Sequence, residues 1–274
     1  MTSQAPRATY VSSALLALLM GVQSALGLFL PGEYRDAEWI RATWFGNDWV
    51  TLALAVPLLV IALWATRRGS VRGLLLWLGV LGYATYNYAY YLLGAALNVF
   101  FLLYVVTVMV AAVTLIAMLL RLDVDALAAA FSPRTPVRVT GGYLVFVAAG
   151  LTVVWVGMWA AYAFAGRPTP VEPEAFRLVA ALDLTLLVST LALGGTLLWR
   201  RRPWGYVVAP LAAVLGALYL LVLSVNSVVA ISRGLAEAPG ELPMWGPLAV
   251  LTSAAAVTLV AFAARREPTA PAAA

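Results

Sequence analysis

Long stretches of apolar residues alternate with short stretches that hold nearly all the charges, Pro–Gly pairs and paired arginines. A membrane-spanning helix needs about 20 mostly apolar residues. Eight stretches meet that length: 10–31, 49–66, 72–94, 97–120, 140–165, 177–199, 204–232 and 246–264. Breakers bound most of them, including Pro31-Gly32, Arg67-Arg68-Gly69, Gly166-Arg167-Pro168 and Arg200-Arg201-Arg202-Pro203. Between the third and fourth, only Gly94-Ala95-Ala96-Leu97-Asn98 is available as a turn, so seven helices is the competing parse. The pattern predicts an all-α polytopic membrane bundle of about eight transmembrane helices. Asp123 is placed to cap a short helix over Val124–Phe131, although a plain linker is the simpler reading.

Composition removes the soluble alternative. Of 274 residues, 64% are hydrophobic and 11% charged, against about 25% charged in a soluble domain. All 17 basic residues are arginine, and His and Cys are absent. Without Cys there are no disulfides, thiolate metal sites or iron–sulfur clusters. Without His there is no imidazole general base or imidazole-bound haem or zinc. Without Lys there is no Schiff-base chemistry and no Walker phosphate loop. No catalytic residue, metal or cofactor is therefore assigned. The pI near 9.7 does not point to nucleic acid, because the arginines sit at the ends of apolar runs rather than in one patch.

The arginines orient the chain. With a cytoplasmic N-terminus, twelve fall inside: Arg7, Arg67, Arg68, Arg72, Arg121, Arg134, Arg138, Arg200, Arg201, Arg202, Arg265 and Arg266. Five fall outside: Arg35, Arg41, Arg167, Arg177 and Arg233. The positive-inside rule favours both termini in the cytoplasm, which an even helix count satisfies. The first run exceeds the 7–15 residues of a signal-peptide core and reads as a retained helix. Trp39, Trp44, Trp49, Trp64, Trp77, Trp199, Trp204 and Trp245 lie near predicted helix ends, as an interfacial belt requires.

The chain divides into a four-helix half over 1–122, a cytoplasmic linker over 123–139, a second four-helix half over 140–266 and a disordered tail over 267–274. The halves resemble copies. Asp48-Trp49-Val50-Thr51 and Trp64…Arg67-Arg68 in one answer to Asp183-Leu184-Thr185 and Trp199-Arg200-Arg201-Arg202 in the other, each followed by a glycine, Gly73 and Gly205. Helix length and the positive-inside rule alone also produce similar spacing. True copies of four helices each would run parallel, about an axis along the membrane normal.

Polar residues inside the spans share one level. Gln23, Asn87, Asp183 and Asn226 fall roughly 9–12 Å below the outer surface at 1.5 Å per residue, with Asp48 just above. Tyr83, Asn87, Tyr90 and Gly94 follow the i, i+4, i+7, i+11 spacing of one helix face, and Tyr86 lies beside them. Such a face is costly against lipid and is expected to turn inward, toward Asp183 and Asn226. An intramembrane acid is a functional candidate by default, for a cation, an amine or a proton. The plainer readings are hydration near the interface for Asp183 and interhelical hydrogen bonds for the amides and phenols. Pro57 and Pro210 should kink their helices. The expected function is binding or transport of a small solute, a cation among the options, at a site of Asp183, Asp48, Asn87, Asn226, Tyr83, Tyr86, Tyr90 and Gln23. A non-catalytic membrane subunit or sensor is the alternative. The expected partners are the lipid bilayer and a small-molecule ligand.

The stretches Asn47-Asp48-Trp49-Val50-Thr51-Leu52, Arg67-Arg68-Gly69-Ser70-Val71-Arg72-Gly73, Trp77-Leu78-Gly79, Tyr83-Ala84-Thr85-Tyr86-Asn87-Tyr88 and Asn98…Phe101…Tyr104-Val105 resemble an uncharacterised group of bacterial multi-pass membrane proteins. Leu182-Asp183-Leu184 and Leu198-Trp199-Arg200-Arg201-Arg202-Pro203-Trp204-Gly205-Tyr206 extend the resemblance, which covers about 28–225. It implies the bacterial cytoplasmic membrane and brings no activity, cofactor or catalytic residue.

Overall fold

In hydrocarbon a backbone can bond only to itself, so apolar runs of this length close into helices. The computed structural model describes residues 6–263; the expected tail and the Arg265-Arg266 pair lie outside them. The helices are α1 (Arg7–Phe29), α2 (Glu38–Arg67), α3 (Val71–Gly94), α4 (Phe101–Leu119), the short α5 (Val124–Ala128), α6 (Val137–Ala165), α7 (Pro173–Trp199), α8 (Gly205–Ser232) and α9 (Leu242–Phe262). Among the described residues there is no strand, only one isolated bridge between Phe131 and Ala263. Seven helices are long and apolar enough to cross a membrane. The eighth long helix, α3, has 24 residues and stands outside that count because its tyrosines and Asn87 lower its hydropathy. It can be polar because it lies among other helices, with most of its side chains buried. Long apolar side chains of α4 and α6, such as Leu102, Met109, Phe146 and Val153, point outward instead, as lipid contact requires. The chain is an all-α polytopic membrane bundle.

Several helices begin a turn or more earlier than expected, α2 by the most. α2 starts at Glu38, not near 49, and α7 at Pro173, not near 177. Both contain one π-helical stretch, Thr51–Ala55 in α2 and Asp183–Val188 in α7. The first precedes Pro57; the second has no proline near it. The turn after α3 is fastened by Asp36, which accepts from the Ala96 amide at 2.8 Å. The simpler reading of a plain linker after Asp123 gives way to a short helix, Val124–Ala128, which stops before Phe131; the Asp123 carboxylate caps it, accepting from the Ala126 amide at 3.0 Å.

The bundle has an arginine-rich and an acid-rich end. At the first, the Arg72 guanidinium donates to the carbonyls of Ala261 and Ala263, both at 2.8 Å, and satisfies the last turn of α9. Two tryptophans expected in the interfacial belt are core residues. Trp44 and Trp77 are fully buried, because their indole N–H groups find protein acceptors, Asp36 at 3.0 Å and Ser13 at 2.8 Å.

α3 and α8 cross at the centre, where Gly79 faces Val214 and Gly82 faces Leu211. Toward the acid-rich end, Gly46 of α2 lies against Asn226 of α8, and Gly94 of α3 against Leu178 of α7. These contacts exchange under one constant shift of 132 positions, the shift that carries 46 to 178 and 94 to 226. The same shift carries Gly73, packed on Ala65 and Thr66, to Gly205, packed on Leu197 and Leu198. It also carries the left-handed turn residue Gly69 (φ 78°) to Arg201 (φ 54°). Under this register Asp183 corresponds to Thr51, and Asp48 to Ala180, so the two acids stand one helical turn out of step.

Candidate functional site

α2 delivers Asp48 to the core just before its π-helical stretch, and the side chain is fully buried. Three neutral donors reach it. Tyr34 donates at 2.6 Å, Tyr91 at 2.7 Å and the Gln23 amide at 3.2 Å. The Gln23 amide nitrogen also lies 3.0 Å from the Tyr34 hydroxyl, and its carbonyl accepts from Tyr88 at 2.9 Å. Tyr34 comes from the connection between α1 and α2. Burial, and then the adjacent Asp48 charge, push its phenol above the ordinary value, so it stays protonated and donates. Gly27 of α1 makes the room: a Cβ there would collide with the Asp48 carboxylate and the Tyr34 hydroxyl.

Asp183 opens the π-helical stretch of α7 and is 1% exposed. It too takes three neutral donors: Tyr86 of α3, Trp155 of α6 at 2.9 Å and Tyr219 of α8 at 3.1 Å. The Tyr86 and Tyr219 rings meet edge to face, with centroids 5.1 Å apart. Trp155 is half-buried, because its other side borders a groove of about 560 Å³ between α6 and α7. Phe176, Trp159 and Tyr162 supply further aromatic wall, and Thr169, Glu174 and Arg177 polar lining. The Phe176 ring packs edge to face on Trp155 at 5.4 Å.

The expected single layer thus divides into two carboxylate clusters. Gln23 joins Asp48, and Tyr86 joins Asp183. Tyr83 pairs instead with Thr51 at 2.8 Å, with the Asn87 amide 3.5 Å from the same hydroxyl. Asn226 covers Gly46 and, with its amide nitrogen toward the carbonyls, donates to Thr43 at 3.0 Å and Val222 at 3.2 Å. Tyr90 lies against the Trp44 ring at 4.8 Å. Five participants escape a reading based on depth: Tyr34, Tyr88, Tyr91, Trp155 and Tyr219. Trp155 carried a usable signal, since an indole far from either helix end has no interface to occupy.

Compared with protein-family models, curated proteins and solved structures, the chain matches none.

Proposed function

We propose that this integral membrane protein binds a small amphipathic solute in the groove between α6 and α7, with the Asp183 carboxylate as the polar anchor. The observation that carries this reading is the double role of Trp155, which walls the groove on one side and donates to Asp183 at 2.9 Å on the other. A solute in the groove that carries an O–H or N–H group is one indole away from a carboxylate. The aromatic walls offer stacking or cation–π contact to its head. The orientation that fits is a bacterial cytoplasmic membrane with both termini inside, so that the groove opens near the outer surface.

Two measurements test this. A thermal-shift screen of the purified protein with amphipathic alcohols and amines is expected to yield stabilising solutes. Asp183→Asn, which keeps side-chain volume, is expected to lower their affinity at least tenfold while the protein still inserts. Equal affinity in that variant overturns the reading. For orientation, reporters fused after Arg134 and at the C-terminus should both report cytoplasm; a periplasmic signal from either breaks it.

The subunit or sensor reading is favoured by one observation. α6 is the least buried of the seven apolar spans, and Val139, Phe146 and Val153 form its outward face. Its signature is a membrane protein that co-purifies in stoichiometric amount and dissociates when Phe146 is replaced by a small residue.

A further inference from the structure

The internal register shows what kind of head the groove accepts. The shift that exchanges the α3–α8 contacts equates the α1–α2 crevice with the α6–α7 groove. Gln23 corresponds to Trp155, Gly27 to Trp159, Trp44 to Phe176 and Asp48 to Ala180. The first crevice is filled by the chain's own Tyr34. Its ring sits 6.4 Å from Trp44, 6.1 Å from Phe45 and 5.9 Å from Phe100, and its hydroxyl rests on Asp48 beside the Gln23 amide. In the second half, the connection over 166–172 contains no aromatic residue, and the corresponding space is the groove of about 560 Å³.

We infer that the α6–α7 groove is a site for an aromatic hydroxyl, a phenol head on an apolar tail, and that Tyr34 in the first half is its built-in counterpart. This rests on the groove's being a ligand site as proposed above. The ring lies against the Trp155–Phe176 pair, as Tyr34 lies beside Trp44. Ala180, in the position of Asp48, supplies no carboxylate; Asp183 stands one turn further along α7, about 4.5 Å along the axis, behind the Trp155 indole that lines the groove. A carboxylate offers about four lone-pair positions, and three donors occupy those of Asp183. The fourth is the acceptor for the incoming hydroxyl. The volume exceeds one ring, and the exposed Trp159 and Tyr162 border the lipid side, where the tail continues into hydrocarbon. A neutral head suits entry from the bilayer, since no charge has to be desolvated.

The test uses the full-length protein in lipid nanodiscs and three probes with the same tail: para-octylphenol, octylbenzene and octyltrimethylammonium. The phenol is expected to raise the thermal midpoint and to bind at least tenfold more tightly than octylbenzene, and octyltrimethylammonium to give no shift. Ala180→Leu, which fills the groove and keeps the Asp183 carboxylate, is expected to abolish the phenol's effect. Binding of the ammonium probe in place of the phenol overturns this inference and leaves the groove a ligand site. No effect from any probe overturns both, and phenol binding unchanged in Ala180→Leu places it elsewhere and overturns the inference. A second arm tests the template itself. Tyr34→Gly vacates the first crevice, and para-cresol should recover more of the lost thermal midpoint than toluene. Equal recovery by the two removes the role of the hydroxyl and with it the inference.

Discussion

Replacing Asp48 by leucine is expected to lower the stability of the folded bundle by about 3 kcal/mol, counting about 1 kcal/mol for each of three buried donors left without an acceptor. The donors are Tyr34, Tyr91 and Gln23, on three separate segments of the chain. The Asp48 side chain is fully buried, so the stranded donors face protein rather than solvent. Interhelical hydrogen bonds in membranes average only about 0.6 kcal/mol in mutational cycles, because the unfolded chain also finds partners. That average describes bonds lost one at a time; here one residue strands three groups at once. Tyr34→Phe removes a single donor and should cost about 1 kcal/mol by the same count. Unfolding in mixed micelles, followed by tryptophan fluorescence, gives both values. An Asp48→Leu protein as stable as the parent would mean that desolvating the carboxylate costs as much as its three bonds return.

The arrangement around Asp48 shows which part of the structure could be read in advance. Residue counting along a helix gives height, and the heights of Gln23 and Asp183 came out close enough to group them. It does not give rotation about the axis. α3 therefore distributes its hydroxyls in several directions, Tyr88 and Tyr91 toward α1 and α2, Tyr86 toward α7, Tyr83 toward Thr51. A helix enclosed by others has no single inward face, so the spacing of Tyr83, Asn87 and Tyr90 had no unique partner to name. Tyr34 was hidden for a different reason. It lies in a connection, and nothing local states that the chain folds back to plug a crevice made by its neighbours. The π-helical stretches were equally silent, since Thr51–Ala55 and Asp183–Val188 are made of the same leucines and small or hydroxyl residues as the ordinary helix around them, Asp183 apart. The helix ends, by contrast, follow from where lipid-compatible sequence stops, and the early starts at Glu38 and Pro173 are polar first turns that an apolar window cannot count. The sequence similarity of the halves aligns Asp48 with Asp183, whereas the packing aligns Asp183 with Thr51. Packing is the stronger guide, because Gly79 and Gly82 have only one register in which they meet Val214 and Leu211.

Gly205→Ala is expected to be about as damaging as Asp48→Leu, at about 3 kcal/mol, the upper part of the overpacking range, although it adds a single methyl group. The space beside Gly205 is occupied by the backbone of Leu197 and Leu198, not by side chains. A side chain can change rotamer; these backbone atoms belong to the last turn of α7, and moving them shifts the helix that carries Asp183. Gly73, the counterpart in the first half, would place its added carbon 2.7 Å from the Ala65 methyl and 2.8 Å from the Thr66 amide, whereas the backbone atoms beside Gly205 stand closer still, so Gly73→Ala should cost less. Gly150→Ala in α6 is the control: apart from its own turn of helix, nothing lies within 4 Å of its added carbon, and the higher helix propensity of alanine should make it neutral or slightly stabilising, by up to about 1 kcal/mol. The three variants, unfolded under one set of conditions, separate helix propensity from helix contact. If Gly205→Ala behaves like Gly150→Ala, then α7 and α8 do not approach at this point, and the register that equates the α1–α2 crevice with the α6–α7 groove loses one of its closest contacts.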